Sequence, residues 1–409
     1  MHTIALITYD ISPYRGSEAS VSWNYVWNMR HTNNLIVICG KGKEDIDRFI
    51  AENGPVENVE FINNPVEKVT GKGIMMDIKY NLAYRRWHLK IYEMVKGMVD
   101  EGKVDLIHYL NPIGFKEPGF LWKITKVPYV WGPIQGVENR PFELYSALSF
   151  KGKVNALVRR IVHNGLFILM PRLKKALKRV DVVFAATPNT IKNLKRWYHK
   201  DSVYLPENGI MKMERTSPIK YDGGTLRLIW IGCVGERKAL VILLDALAKV
   251  GRGGGNWHLD VLGDGDQREK LQKKFSHLND RITWHGMVDR TSVQEVLLQS
   301  HLHVISSLGE GNPTILWEAF GKAIPTLTLD HCGMAGVVCE KCGIKVPIHS
   351  YNQVVEDIAD RINGVLHNPE IIEQLSVGTI ECAKKFMWSN RIDLYNETYE
   401  KLIKSYCSK

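Results

Sequence analysis

Short, uninterrupted apolar runs rich in β-branched residues recur along the whole 409-residue chain, each followed by a longer amphipathic stretch. This alternation limits the available folds more than any other feature. The runs fall at 2–8, 35–39, 59–62, 106–108, 129–131, 182–185 and 203–205, then at 226–231, 258–262, 282–284, 303–306, 324–327 and 344–346. They are continuous rather than alternating, as strands covered on both faces are. Helical patterns such as 240–249 and 292–299 separate them. Strand–helix alternation of this kind builds α/β folds with doubly wound parallel sheets.

The chain is too long for one ordinary core. Its periodicity breaks at 211–224, where Thr216-Ser-Pro218 and Gly223-Gly224 interrupt it, and a fresh strand-first unit starts at Leu226. The expected architecture is a Rossmann-like domain over 1–210, a linker over 211–224 and a second Rossmann-like domain over 225–385. A helix within 386–409 is expected to cross back to the first domain. Two such domains would face a central cleft, with ligands at the carboxyl ends of the strands.

Net charge is +10, and its distribution is uneven. Residues 1–210 hold 30 Lys and Arg against 20 Asp and Glu, whereas the rest balances at 24 against 24, so an anionic partner is expected on the N-terminal half alone. The stretch 150–179 has nine Lys and Arg and no acid, with Val154, Leu157, Val158, Ile161, Phe167 and Ile168 at roughly helical spacing. That pattern fits an anionic membrane surface, and 80–90 (YNLAYRRWHLK) offers a second basic, aromatic patch. The N-terminus reads as a buried strand rather than a signal peptide, and no apolar run suffices for a membrane span. A cytoplasmic protein, peripheral on the inner face of the cell membrane, is expected. The seven cysteines form no disulfide framework; Cys339-Glu-Lys-Cys342 has zinc spacing but lacks a second ligand pair, so no metal is expected there.

Two strand–loop–helix segments carry the chemistry. In VISSLGEGNPTILWEAF (304–320), a strand ends in a glycine loop, and Asn312-Pro313 suits an N-cap and first-turn pair. The first-turn amides of Thr314 and Ile315 would then face an anion such as a diphosphate. Glu318 shares a helix face with Thr314, and Glu310 lies on the loop. In LIWIGCVGERKALVILLDAL (228–247), Lys238 stands after a glycine loop at the mouth of a helix, suited to phosphate oxygens. It is not a P-loop, since Gly-Lys-Ser/Thr is absent. In SPYRGSEASVSW (12–23), Gly16 could open a helix N-terminus to a ligand.

The segment 304–320 resembles, over its full length, the Glu-x7-Glu motif of the family 4 retaining glycosyltransferases, which have the GT-B fold. The segment 228–247 resembles that family's phosphate-binding loop, with Lys238 as its lysine and Cys233 where an arginine is usual, so that either Arg237 supplies the missing charge or Lys238 alone holds the diphosphate. Gly16-Ser17-Glu18, the strand-end His108, Asn208-Gly209 and Gly263-Asp264-Gly265 extend the resemblance. It implies a retaining, hexosyl-type transfer from a nucleotide diphosphate sugar to a glycan or polyprenyl-linked glycan, as in cell-surface polysaccharide assembly. Glu310 would act beside the anomeric centre and Glu318 on the ribose hydroxyls. Donor contacts would come from Gly16, Arg237, Lys238, Gly311, Asn312, Pro313, Thr314 and Glu318, and acceptor-side contacts from Ser17, Glu18 and His108. No metal, cofactor or nucleic acid is implied. The rivals are a sugar-nucleotide epimerase or hydrolase of the same fold, and a non-catalytic protein binding anionic glycan or nucleic acid.

Overall fold

A strand forms at each of the thirteen apolar runs among the described residues, which in this computed structural model are 1–16, 18–67, 69, 73–135, 138–250 and 255–408. In the first sheet they are β1 (Thr3–Asp10), β2 (Asn34–Lys41), β3 (Val59–Asn63), β4 (Leu106–Asn111), β5 (Tyr129–Ile134), β6 (Val182–Ala185) and β7 (Val203–Tyr204). The second holds β8 (Thr225–Ile231), β9 (Asn256–Leu262), β10 (Ile282–Gly286), β11 (Leu302–Ile305), β12 (Thr326–Leu329) and β13 (Gly343–Val346). The orders are β3-β2-β1-β4-β5-β6-β7 and β10-β9-β8-β11-β12-β13. Pairing within both sheets is parallel. Each order reverses once, between β1 and β4 and between β8 and β11, and such reversals open the crevice in which doubly wound sheets hold ligands. Strand β12 starts two residues later than its apolar run, because Pro325 has no N–H for a ladder and Ala323 sits at φ +59.

Alternate residues of β1 show why these strands are apolar throughout. Ala5 and Ile7 pack with Tyr84, Trp87, Ile91 and Val95 of the helix Gly73–Asp100. Ile4 and Leu6 pack with Trp23, Val26 and Met29 of the helix Glu18–Met29, and with Tyr395, Tyr399 and Ile403 of the helix Trp388–Cys407. Each fully buried side chain of this kind contributes about 1.5–3 kcal/mol. The aromatic patch expected at 80–90 is therefore only partly surface. Tyr84 and Trp87 are core residues, and Trp87 Nε1 donates to the Asn64 carbonyl at 2.6 Å.

The chain divides into two compact units, Met1–Val137 with His163–Gly209 and Trp388–Lys409, and Glu138–Val162 with Ile210–Met387. The boundary expected at 210 needs one correction. Residues 138–162 group with the second unit because Leu144, Leu148 and Ala156 bury in the core built by Leu240, Leu243, Val354 and Ile358. The stretch 211–224 is tied down along the second unit. Glu214 and Arg215 donate their amides to Gly321, and the Ile219 amide donates to Ser376 Oγ. The basic stretch 150–179 is two helices, Phe150–Leu169 and Pro171–Arg179, separated at Met170, and the proline takes a first-turn position where its missing N–H costs nothing. No helix among the described residues is long and apolar enough to cross a membrane.

Candidate active site

In the second unit the site grows from the two loops that follow β8 and β11, on either side of the strand-order reversal. After β8 the chain turns through Gly232, at φ +156 and packed against the Lys238 stem, and enters the helix Leu240–Leu247 through Ala239 in the left-handed region. The Gly263-Asp264-Gly265 turn after β9 braces this loop. A Cβ at Gly263 would stand 2.0 Å from the Gly232 carbonyl oxygen and one at Gly265 would stand 2.4 Å from that of Val234, so only glycine fits at either place. The Val234 amide donates to Asp264 O at 2.9 Å across the same contact.

The two loops are stitched together directly. The Leu308 amide donates to Arg237 O at 2.9 Å, and Ser306 Oγ donates to Lys238 O at 2.9 Å. Lys238 Nζ then lies 2.7 Å from Glu310 Oε2, and Arg237 Nη1 lies 2.9 Å from the same oxygen. Lys238 and Glu310 are largely sheltered, at 13% and 16% side-chain exposure, whereas Arg237 is 45% exposed. Burial alone would raise the Glu310 carboxyl pKa. Lys238 and then Arg237 outweigh it and hold the carboxyl below its ordinary range. An ionised carboxylate and two cations thus share one point at the mouth of the loop.

The helix Thr314–Gly321 begins one residue later than the Asn312-Pro313 pattern suggests. Pro313 is extended (φ −62, ψ 137) and takes the N-cap place, without a side-chain cap, and Asn312 is buried before it. The helix therefore starts with first-turn N–H groups that no cap side chain covers. Gly311 backs onto Gly333, where a Cβ would come within 2.0 Å of the Gly311 carbonyl oxygen. Glu318, one turn into the helix, accepts from Gln294 Nε2 at 2.6 Å and pairs with Arg290 at 3.2 Å.

Three contributors carry no local sequence signal. Gln294 and Arg290 come from the helix Arg290–Leu298, more than twenty residues before Glu318. Arg140 comes from the transplanted segment: its stem lies against Gly309, and burial, with Arg159 and Arg237 as like charges, lowers its pKa. Glu236, in the same loop as Lys238, turns away to the start of the helix Phe150–Leu169, accepting from the Ser149 amide at 2.9 Å beside Gly152. Two Asp-x-Asp triplets also occur, and their leading aspartates are held by arginines. Asp45 pairs with Arg15 at 2.7 Å, and Asp264 pairs with Arg268 at 3.2 Å while accepting from the Gly265 amide.

The first unit holds the remaining expected residues. Gly16 faces open space, with nothing within 4 Å of where a Cβ would stand, so close packing does not explain that glycine. Ser17 lies outside the described residues. Glu18 opens the helix Glu18–Met29, and burial raises its carboxyl pKa against the pull of a backbone hydrogen bond at Ile113. His108 is corrected from an acceptor-side residue to a core residue. It is fully buried; Nε2 donates to the Gly132 carbonyl at 2.6 Å, and Nδ1 accepts from Tyr399 Oη at 2.6 Å. Tyr25 Oη completes the chain, 2.6 Å from Tyr399 Oη. Both ring nitrogens are used, and burial lowers the imidazole pKa to about 4.

The two doubly wound parallel-sheet units define the GT-B fold. A solved structure of sucrose-phosphate synthase from Thermosynechococcus elongatus has the same fold, with a TM-score of 0.67 over 99% of this chain and 100% of that one, at 17% identity. In this chain, residues 225–368 match the family model described as Glycosyl transferases group 1. An uncharacterized glycosyltransferase of Methanocaldococcus jannaschii is 24% identical over 63% of this chain, and the match spans 64% of that relative's length. The lipopolysaccharide 1,6-galactosyltransferase of Escherichia coli K12 is 33% identical over 30% of this chain and 35% of its own length.

Proposed function

We propose that this protein is a retaining glycosyltransferase that moves a sugar from a nucleotide diphosphate sugar to a glycan or polyprenyl-linked glycan. The observation that carries the reading is the convergence of Lys238 and Arg237 on Glu310, next to the uncapped start of the helix Thr314–Gly321. A diphosphate carries more charge than one carboxylate and would draw both cations and the first-turn amides to its oxygens. Those groups would then stabilise the charge that develops on the leaving group. Glu318, held in place by Gln294 and Arg290, is suited to accept from ribose hydroxyls. Glu310 lies between the cations and the reacting carbon in this assignment, and the acceptor hydroxyl attacks from the face the diphosphate leaves. The match to a group 1 glycosyltransferase domain over 225–368 supports transfer over the epimerase, hydrolase and non-catalytic readings. No metal is invoked, because Lys238, Arg237 and backbone amides supply the positive charge. In a thermal-shift screen of UDP-, GDP-, ADP- and dTDP-sugars, one donor should raise the melting temperature in the presence of EDTA. A shift that appears only with manganese or magnesium refutes metal-free donor binding, and no shift with any donor refutes the donor assignment.

Docking on an anionic membrane surface belongs to the same reading. Along the helix Phe150–Leu169, Phe150, Val154, Leu157, Val158, Ile161 and Val162 are exposed beside Lys151, Lys153 and Arg159, whereas Gly152 and Ala156 are buried, and Phe167, expected on the apolar row, is a core residue instead. An apolar row among cations suits the headgroup region, each cation adding about 1 kcal/mol near the surface. Co-sedimentation with liposomes should rise with anionic lipid and fall with salt, and Val158→Gln with Arg159→Gln should weaken it. Equal recovery with neutral vesicles would return the stretch to a solvated surface.

A further inference from the structure

Cys339 and Cys342 flank the turn between the short helix Met334–Val337 and β13, and Cys382 projects from the helix Glu370–Lys385. The fold brings the three sulfurs together although the sequence offers only the first two as a pair. Cys339 Sγ is 3.6 Å from Cys342 Sγ and 3.5 Å from Cys382 Sγ, and all three lie within 4.8 Å of one another. The approach is enforced by backbone packing. A Cβ at Gly378, one turn before Cys382, would stand 1.9 Å from the Lys341 carbonyl oxygen, and Thr379 Oγ1 donates to Cys342 O at 3.1 Å. The helix is thereby pressed onto the turn.

The turn also directs amides at sulfur. The Cys339 amide donates to Cys342 Sγ at 3.3 Å, and the amides of Lys341 and Cys342 act on the Cys339 sulfur. Amide donors at a Cys-x-x-Cys turn stabilise thiolates, which is what a thiophilic cation requires. Tetrahedral zinc with thiolates at about 2.3 Å sets its ligand sulfurs about 3.8 Å apart, close to the spacing found here.

We propose that Cys339, Cys342 and Cys382 form a structural zinc site, with a water completing four-coordination on the partly exposed Cys339 side. Binding releases the three thiol protons to solvent and forms three zinc–sulfur bonds, with no change of oxidation state. The ion would clamp the helix Glu370–Lys385 to the turn before β13. The same segment starts at Gly333, against the Gly311 carbonyl, so the clamp would also stiffen one wall of the candidate active site. The inference stands on the thiol geometry and does not depend on the proposed transferase activity.

The test is metal content of the full chain, purified in reducing buffer with zinc and then desalted. About one zinc per chain is expected by elemental analysis, falling at least about tenfold in Cys339→Ser and in Cys382→Ser and unchanged in Cys407→Ser, which lies elsewhere. Cobalt added to the metal-free wild type should give a thiolate-to-metal band in the near ultraviolet, and this arm stands even where a variant fails to fold. Reduced wild type that takes up no zinc and gives no cobalt band overturns the site. So does zinc uptake undiminished in both variants.

Discussion

Lys238→Ala is expected to lower turnover about 10²–10³-fold, the effect of removing one preorganised donor from developing negative charge. Its backbone is held by contacts that alanine leaves intact: Ser306 Oγ on its carbonyl and Gly235 O on its amide. The substitution has a second consequence. Glu310 is kept ionised against burial chiefly by Lys238, so its carboxyl pKa should rise once the ammonium is gone. The acid limb of the pH–rate profile should therefore move to higher pH in Lys238→Ala. Glu310→Gln has a different signature: it keeps the size of the side chain and should depress kcat more than donor affinity. Steady-state kinetics across pH separates the two. A Lys238→Ala enzyme with wild-type turnover and an unmoved acid limb would remove Lys238 from the site.

Acid is expected to unfold this protein well above the carboxylate range. His88, His108 and His303 are fully buried, and burial lowers their pKa values to about 3, about 4 and about 3. In the unfolded chain each titrates near the ordinary histidine value of about 6.5. Between that value and the depressed one the unfolded state binds a proton that the folded state refuses, so stability falls as pH falls through this window. Each histidine costs about 1.4 kcal/mol per pH unit there. His88 and His108 share the first unit, which should lose about 3 kcal/mol per pH unit below 6.5; in the second unit His303 contributes about half that, and His301 and His331, also lowered by burial, add to it. Urea unfolding at steps from pH 7.5 to 4.5 should show a plateau and then a steep decline. Unchanged stability down to pH 4.5 would mean that these imidazoles take up protons without unfolding.

The strand positions were legible because doubly covered parallel strands must be apolar at every residue, a local property that a sequence displays. The meeting of Lys238 with Glu310 was legible for a similar reason: both lie within two strand–loop–helix units whose spacing is fixed by the chain itself. Contacts made by distant segments were not legible. Arg140 reaches Gly309, Gln294 reaches Glu318, and Cys382 joins Cys339 and Cys342 only through tertiary packing. His108 misled because a histidine at a strand's carboxyl end looks the same whether it faces a ligand or is capped, as here, by Tyr399 and the Gly132 carbonyl. The segment 138–162 misled because a boundary drawn at a break in periodicity cannot register that Leu144, Leu148 and Ala156 bury in the second unit's core.

The central claim is that the loops after β8 and β11 hold a nucleotide diphosphate sugar. Calorimetric titration of the donor selected by the thermal-shift screen, into wild type and Glu318→Ala, tests it most directly. Loss of a charged acceptor for ribose hydroxyls should weaken binding by about 1.5–3 kcal/mol, roughly 10- to 150-fold, with stoichiometry retained. Equal affinity in the two proteins would contradict the assignment of the site.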